Sequence, residues 1–119
     1  MEKPFERLLQ AQTLKRTFDN FNGANSFYDS IDLKHGTARV IGNKSAGGLI
    51  VVAGIYGLAF IERFPSGLSI TTVFADCKQG TPEFIAVLSR HVALFGSPIP
   101  SQFYGTCVVW QLWSLRHTE

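Results

Sequence analysis

The longest apolar stretch of the chain runs from Gly48 to Ala75, and its punctuation sets the elements around it. Ser45–Ile61 carries no charge. That admits a membrane helix at the short limit of about 17–25 residues, a buried central helix, or β-structure. Glycines at 48, 54 and 57 and the valine and isoleucine content favour the last. The reading is a strand over Leu49–Tyr56 buried on both faces, bending at Gly54 and Gly57 into Leu58–Phe64. Phe64-Pro65-Ser66-Gly67-Leu68 then predicts a hairpin with a three-residue loop, Pro65 opening a type I turn and Gly67 taking the bulge position. This sets Phe64 opposite Leu68, Glu62 opposite Ile70, Phe60 opposite Thr72 and Leu58 opposite Phe74. On that heavy face Glu62 is the one carboxylate. The other face pairs Arg63 with Ser69, Ile61 with Thr71 and Ala59 with Val73.

Toward the N-terminus, Pro4 suits a first helical turn, and Phe5 to about Phe18 contains good helix formers. Two apolar stripes disagree in direction, Phe5, Leu8 and Leu9 against Ala11, Leu14 and Phe18. A helix here is either gripped from two sides or bends near Gln12. Asp19–Ser30 reads as a turn-rich loop around Asn22-Gly23. Ile31–Gly42 reads as one or two short strands broken at His35-Gly36, with Ala38 and Val40 alternating with Arg39 and Ile41. Asn43–Gly48 is the next loop.

Thr81-Pro82-Glu83 supplies a capping hydroxyl, a proline and an acid for a helix start, and Gly96, Pro98 and Pro100 supply a stop. The spacing predicts a second helix over about 82–95, with Phe84, Ile85, Val87, Leu88, Val92, Leu94 and Phe95 on one half of the wheel. Phe103–Leu115 returns as a long C-terminal strand, with Trp110 and Trp113 on opposite faces or a last helical turn at Trp113–His117. The expected fold is a single α+β domain over residues 1–119. It has two layers, a mainly antiparallel sheet of about 4–5 strands, an N-terminal helix and the 82–95 helix before the last strand.

Composition changes this picture in one respect. The 119 residues are 45% hydrophobic and 17% charged and include ten phenylalanines. That leaves little polar surface and points to a homo-oligomer, a dimer first of all. A net charge of +2 with scattered Lys and Arg gives no phosphate-tracking stripe, so nucleic acid is unsupported as a partner. Cys77 and Cys107 form no CxxC and have no histidines at zinc spacing, so no metal or cofactor is expected. Lone cysteines and an N-terminus, MEKPFERLLQ, without an apolar core segment imply a cytoplasmic protein with no membrane partner.

The candidate chemistry is sparse. His91 falls within the apolar half of the predicted helix. It is either a core histidine bonded to a backbone carbonyl or to a hydroxyl such as Thr72, or the partner of Glu62, which would orient the ring and raise its pKa. A pocket between sheet and helix would add Phe60 and Thr72 as ligand contacts. Cys107 passes His91's level as a catalytic candidate, although an inert buried thiol is its simpler role. Cys77 lies about 14 Å along the helix from His91 at ~1.5 Å per residue, too far for a dyad. Lys78, Gly80 and Thr81 lead into a helix N-terminus whose N–H groups could hold an anion, and His35-Gly36 with Arg39 is a weaker anion contact.

No Ser/His/Asp signature, HExxH or paired-carboxylate motif is present. The expectation is therefore a small soluble binding or interaction protein, acting as a homo-oligomer on a protein partner or small ligand. The alternative is an enzyme or small-molecule-binding protein using His91 and Glu62.

Overall fold

Eight antiparallel strands close on themselves in a computed structural model that describes residues 4–18, 25–41, 48–94 and 96–110. A short helix α1 (Pro4–Leu9) precedes β1 (Thr13–Phe18), β2 (Asn25–Asp32), β3 (Thr37–Ile41) and β4 (Gly48–Gly54). There follow β5 (Gly57–Phe64), β6 (Gly67–Cys77), β7 (Phe84–Leu94) and β8 (Ser97–Val109). Each strand pairs with the next, and β8 returns to β1 from Leu14↔Val109 to Phe18↔Gly105. The two-layer α+β expectation is thus replaced by an up-and-down barrel. Closure leaves none of these strands with an unpaired edge.

The second helix over 82–95 does not form; Phe84–Leu94 is a strand paired on both sides along its length. Its inward positions, Phe84, Ala86 and Leu88, are buried. Its outward positions begin with Ile85 and Val87, so apolar residues occur on both faces and the period of two is hidden. The β-branched and aromatic content of FIAVLSRHVAL fits a pleated surface better than a helix. The first helix is likewise short. The chain turns after Leu9; of the second apolar stripe, Ala11 is buried ahead of β1, and Leu14 lies in β1, where it and Arg16 point inward.

The β5–β6 hairpin has a two-residue turn at Pro65-Ser66, with Phe64 opposite Gly67, Glu62 opposite Ser69, Phe60 opposite Thr71 and Leu58 opposite Val73. Relative to the expected register, β6 is moved by one residue. Its inward set becomes Ser69, Thr71 and Val73 in place of Leu68, Ile70 and Thr72. A Cβ at Gly67 would stand 1.9 Å from the His91 carbonyl oxygen, so the backbone of β7 demands glycine there. Gly54 and Gly57 flank a further tight turn, Ile55-Tyr56, between β4 and β5. The β4 strand is buried on one face alone, Leu49 and Val51 inward against Ile50 and Val52, 47% and 51% exposed. The Trp113 readings lie outside the described residues.

The core fills the barrel near the end from which β1 starts. Leu14, Leu58, Val73, Phe84 and Ala86 meet Leu8 and Ala11 there. α1 packs across this end beside β5 and β6, and Arg7 Nη2 donates to the Pro82 carbonyl at 3.2 Å. Fully burying Leu8 contributes about 1.5–3 kcal/mol, enough to hold so short a helix that has no independent stability. Among the described residues no helix is long and apolar enough to cross a membrane.

Candidate functional site

Above that apolar layer the barrel interior becomes polar. Inward positions of β1, β2, β5 and β6 place Arg16, Ser26, Tyr28, Glu62, Ser69 and Thr71 in the interior, each at 8% exposure or less. Arg16 Nε donates to Ser26 Oγ at 2.7 Å, and Nη1 donates to Thr71 Oγ1 at 2.7 Å and to the Tyr28 hydroxyl. Tyr28 in turn donates to Thr71 Oγ1 at 3.0 Å. The remaining nitrogen, Nη2, stands 3.5 Å from Glu62 Oε1. Below, the Tyr28 ring stacks on Phe60 with centroids 4.3 Å apart and planes 10° from parallel. Cys107, opposite Arg16 in register, closes the ring of residues from β8.

Burial sets the protonation states. It pushes the Tyr28 hydroxyl well above its ordinary value, outweighing the opposing pull of the Arg16 charge and the Thr71 hydrogen bond. It pushes the Cys107 thiol up from 9.0 to about 12, again against Arg16. A raised pKa in the fold contributes stability that is fully present below the unfolded value and lost as pH rises through the folded one. Stability should therefore fall between pH 9.0 and about 12, with Cys107 contributing up to about 1.4 kcal/mol per pH unit. Urea unfolding at stepped alkaline pH should give a shallower decline for Cys107→Ala than for the native chain. Parallel declines would contradict this.

Toward the end opposite α1, the inward positions are only half-buried. Phe64 on β5, Arg90 on β7, and Ser101 and Phe103 on β8 line the barrel here. Ser69, Arg90 and Ser101 share one register row. The Arg90 guanidinium lies 5.9 Å from the centre of the Phe64 ring. This is the end of the barrel opposite the one that α1 packs across.

Two of the residues expected to act together are separated. Glu62 points into the barrel, whereas His91 lies exposed on the outer face of β7. With no helix at 82–95 there is no sheet–helix pocket between them. His91 instead borders an outer groove of about 290 Å³ with Ser89, Pro100, Ser101 and Gln102. Phe60 is interior and fully buried, but Thr72 faces outward, next to neither. Cys107 is an interior thiol held protonated by burial, whereas His91 faces outward.

Lys78, Gly80 and Thr81 form the β6–β7 loop. No helix follows, and the N–H groups of Lys78, Thr81 and Glu83 are engaged within the loop by Glu83 O, Lys78 O and Thr81 Oγ1. The helix N-terminus on which the anion-site expectation rested is absent. Arg39 is held by Asp29 through two hydrogen bonds of 2.8 and 2.9 Å, and His35 by Asp32 at 2.7 Å.

Arg16, Tyr28, Thr71 and Arg90 had no counterpart in the sequence reading. The signal for Arg16 was present: read as a strand, TLKRTF alternates Leu14, Arg16 and Phe18, a charge on an apolar face just as Glu62 is. Comparison with protein-family models, curated proteins and solved structures gives no match to this chain.

Proposed function

We propose that this chain is a small-molecule-binding protein, not an enzyme, and that its ligand enters the barrel from the end opposite α1, lined by Phe64, Arg90 and Phe103. One observation carries the reading: the barrel interior holds an ion pair and a hydroxyl network where apolar side chains would serve stability equally well or better. Eight-stranded barrels have interiors just wide enough to be filled by side chains or to hold one small ligand. The hydrogen bonds among Arg16, Ser26, Tyr28 and Thr71 fix their positions. Tyr28 and Cys107 are held protonated, which suits recognition and disfavours nucleophilic attack. Interior Arg16 and Glu62 cancel in charge, and Arg90, its guanidinium 5.9 Å from the Phe64 ring centre, adds one positive charge at the end opposite α1. The ligand class that matches is a small amphipathic anion, an apolar body with one carboxylate or sulfonate.

Titration with 1-anilinonaphthalene-8-sulfonate should give saturable fluorescence, displaced by dodecanoate. Arg90→Gln should weaken binding about tenfold, the loss of one charge-assisted contact at a partly wet site. Unsaturable fluorescence, or equal affinity in Arg90→Gln, would remove the proposal.

A further inference from the structure

The outer face of β4–β7 is apolar across neighbouring strands in register. Ile50, Ile61 and Ile70 form one row over three strands, and Val52, Ala59, Thr72 and Val87 form the next over four. Ile50 and Val52 are 47% and 51% exposed, so half of each remains to be covered. Among the described residues of these strands, the outward positions that carry charge lie at the two ends. Arg63 sits at the end opposite α1, in one row with Leu68 and His91. Asp76 sits at the α1 end, followed in the loop by Lys78 and Glu83, which cancel each other.

The opposite side of the barrel is different. Lys15, Asp29 and Arg39 occupy outward positions of β1, β2 and β3, the last two as an ion pair. The Val52 row runs on to Tyr104 of β8, but the charges on β1–β3 interrupt the apolar surface on the other side, which does not fit a barrel encircled by lipid. The face therefore meets something on one side only, and edge pairing is closed to it because the barrel has no edge.

We infer that this face is covered by the same face of a second copy of the chain, the two sheets stacked about a two-fold axis that runs across the strands. Such an axis reverses strand direction between copies. It lays the isoleucine row of one copy against the apolar rows of the other. It also brings Arg63 of each copy toward Asp76 of its partner, so opposite charges flank the apolar centre at both ends. An axis along the strands would instead set Arg63 against Arg63. Sheets stacked in this way sit about 10 Å apart with interdigitated side chains. The assembly does not depend on what the barrel interior binds.

Sedimentation velocity of the native chain should give a species of twice 13.2 kDa. Ile50→Lys with Val52→Lys should give a monomer with an unchanged thermal transition in dilute solution, because both sites are surface positions. Asp76→Arg should weaken the dimer about tenfold or more through like-charge juxtaposition. Adding Arg63→Asp to Asp76→Arg should restore it, since the reversed pair is complementary again. A native chain that stays monomeric, or that binds neutral phosphatidylcholine vesicles through Ile50 and Val52, overturns the inference. So does a dimer indifferent to the Ile50/Val52 pair or to the charge reversal.

Discussion

Glu62→Ala will cost this protein about 3–5 kcal/mol, a large part of the roughly 5–15 kcal/mol that holds a domain of this size together. Glu62 is 2% exposed and its carboxylate faces Arg16 Nη2 at 3.5 Å. Truncating it removes the carboxylate that faces the buried guanidinium, beside the neutral oxygens of Ser26, Tyr28 and Thr71. The effect belongs to the buried charge, not to a strong bond. Replacing both partners, Arg16→Met with Glu62→Leu, should accordingly return most of the stability or exceed the native value by about 1–4 kcal/mol. Equilibrium urea unfolding of the two single variants and the double variant closes the cycle. A double variant as unstable as Glu62→Ala would mean that the polar layer is needed for the barrel to form. The stability gain would instead mark the layer as kept for its ligand.

Phe60→Ala should destabilise by a similar amount, about 3–5 kcal/mol. The ring is fully buried and stacked against Tyr28 at 4.3 Å, and its neighbours in register are Val51 and Thr71. Paired β-strands on either side cannot move in to fill the space, so both the transfer and the cavity contributions are lost. Phe60 also holds the Tyr28 ring at the angle that delivers its hydroxyl to Arg16 and Thr71. Phe60→Leu, which fills more of the space but cannot stack, should cost less than half as much. Urea midpoints of the two variants decide the matter. A loss below about 1 kcal/mol for Phe60→Ala would show that the interior collapses around the gap.

The parts of the fold legible in the chain were those set by local chemistry. The break at His35-Gly36 is a turn, with Gly36 at φ +69°, and Ala38 and Val40 alternate inward as their pattern requires. The hairpin about Pro65-Ser66 is where its residues put it, and Leu58, Phe60 and Glu62 share the inward face. Glu62 stood out because a carboxylate on an apolar face is costly wherever that face is buried.

The register was not legible. A loop of two residues or three changes which side of β6 turns inward. What selects two is the backbone of β7, which lies too near Gly67 for any Cβ. The 82–95 segment failed for a related reason. Its capping residues were real signals for a helix start, but Ile85 and Val87 on the outer face removed the alternation that would have revealed a strand.

By itself, the sequence determined the turns at His35-Gly36 and Pro65-Ser66, the hairpin about the second of them, and that one acid shares a face with Leu58 and Phe60. Those follow from backbone preferences and side-chain solvation within a few residues. Tertiary structure decided that eight strands close, that Arg16 from β1 meets Glu62 from β5 and Thr71 from β6, and that His91 is left outside. Closure joins β1 to β8, segments about ninety residues apart in the chain, through hydrogen bonds to which no local pattern points. Whether a position faces core or solvent then depends on a single residue of register, which only the neighbouring strand can fix.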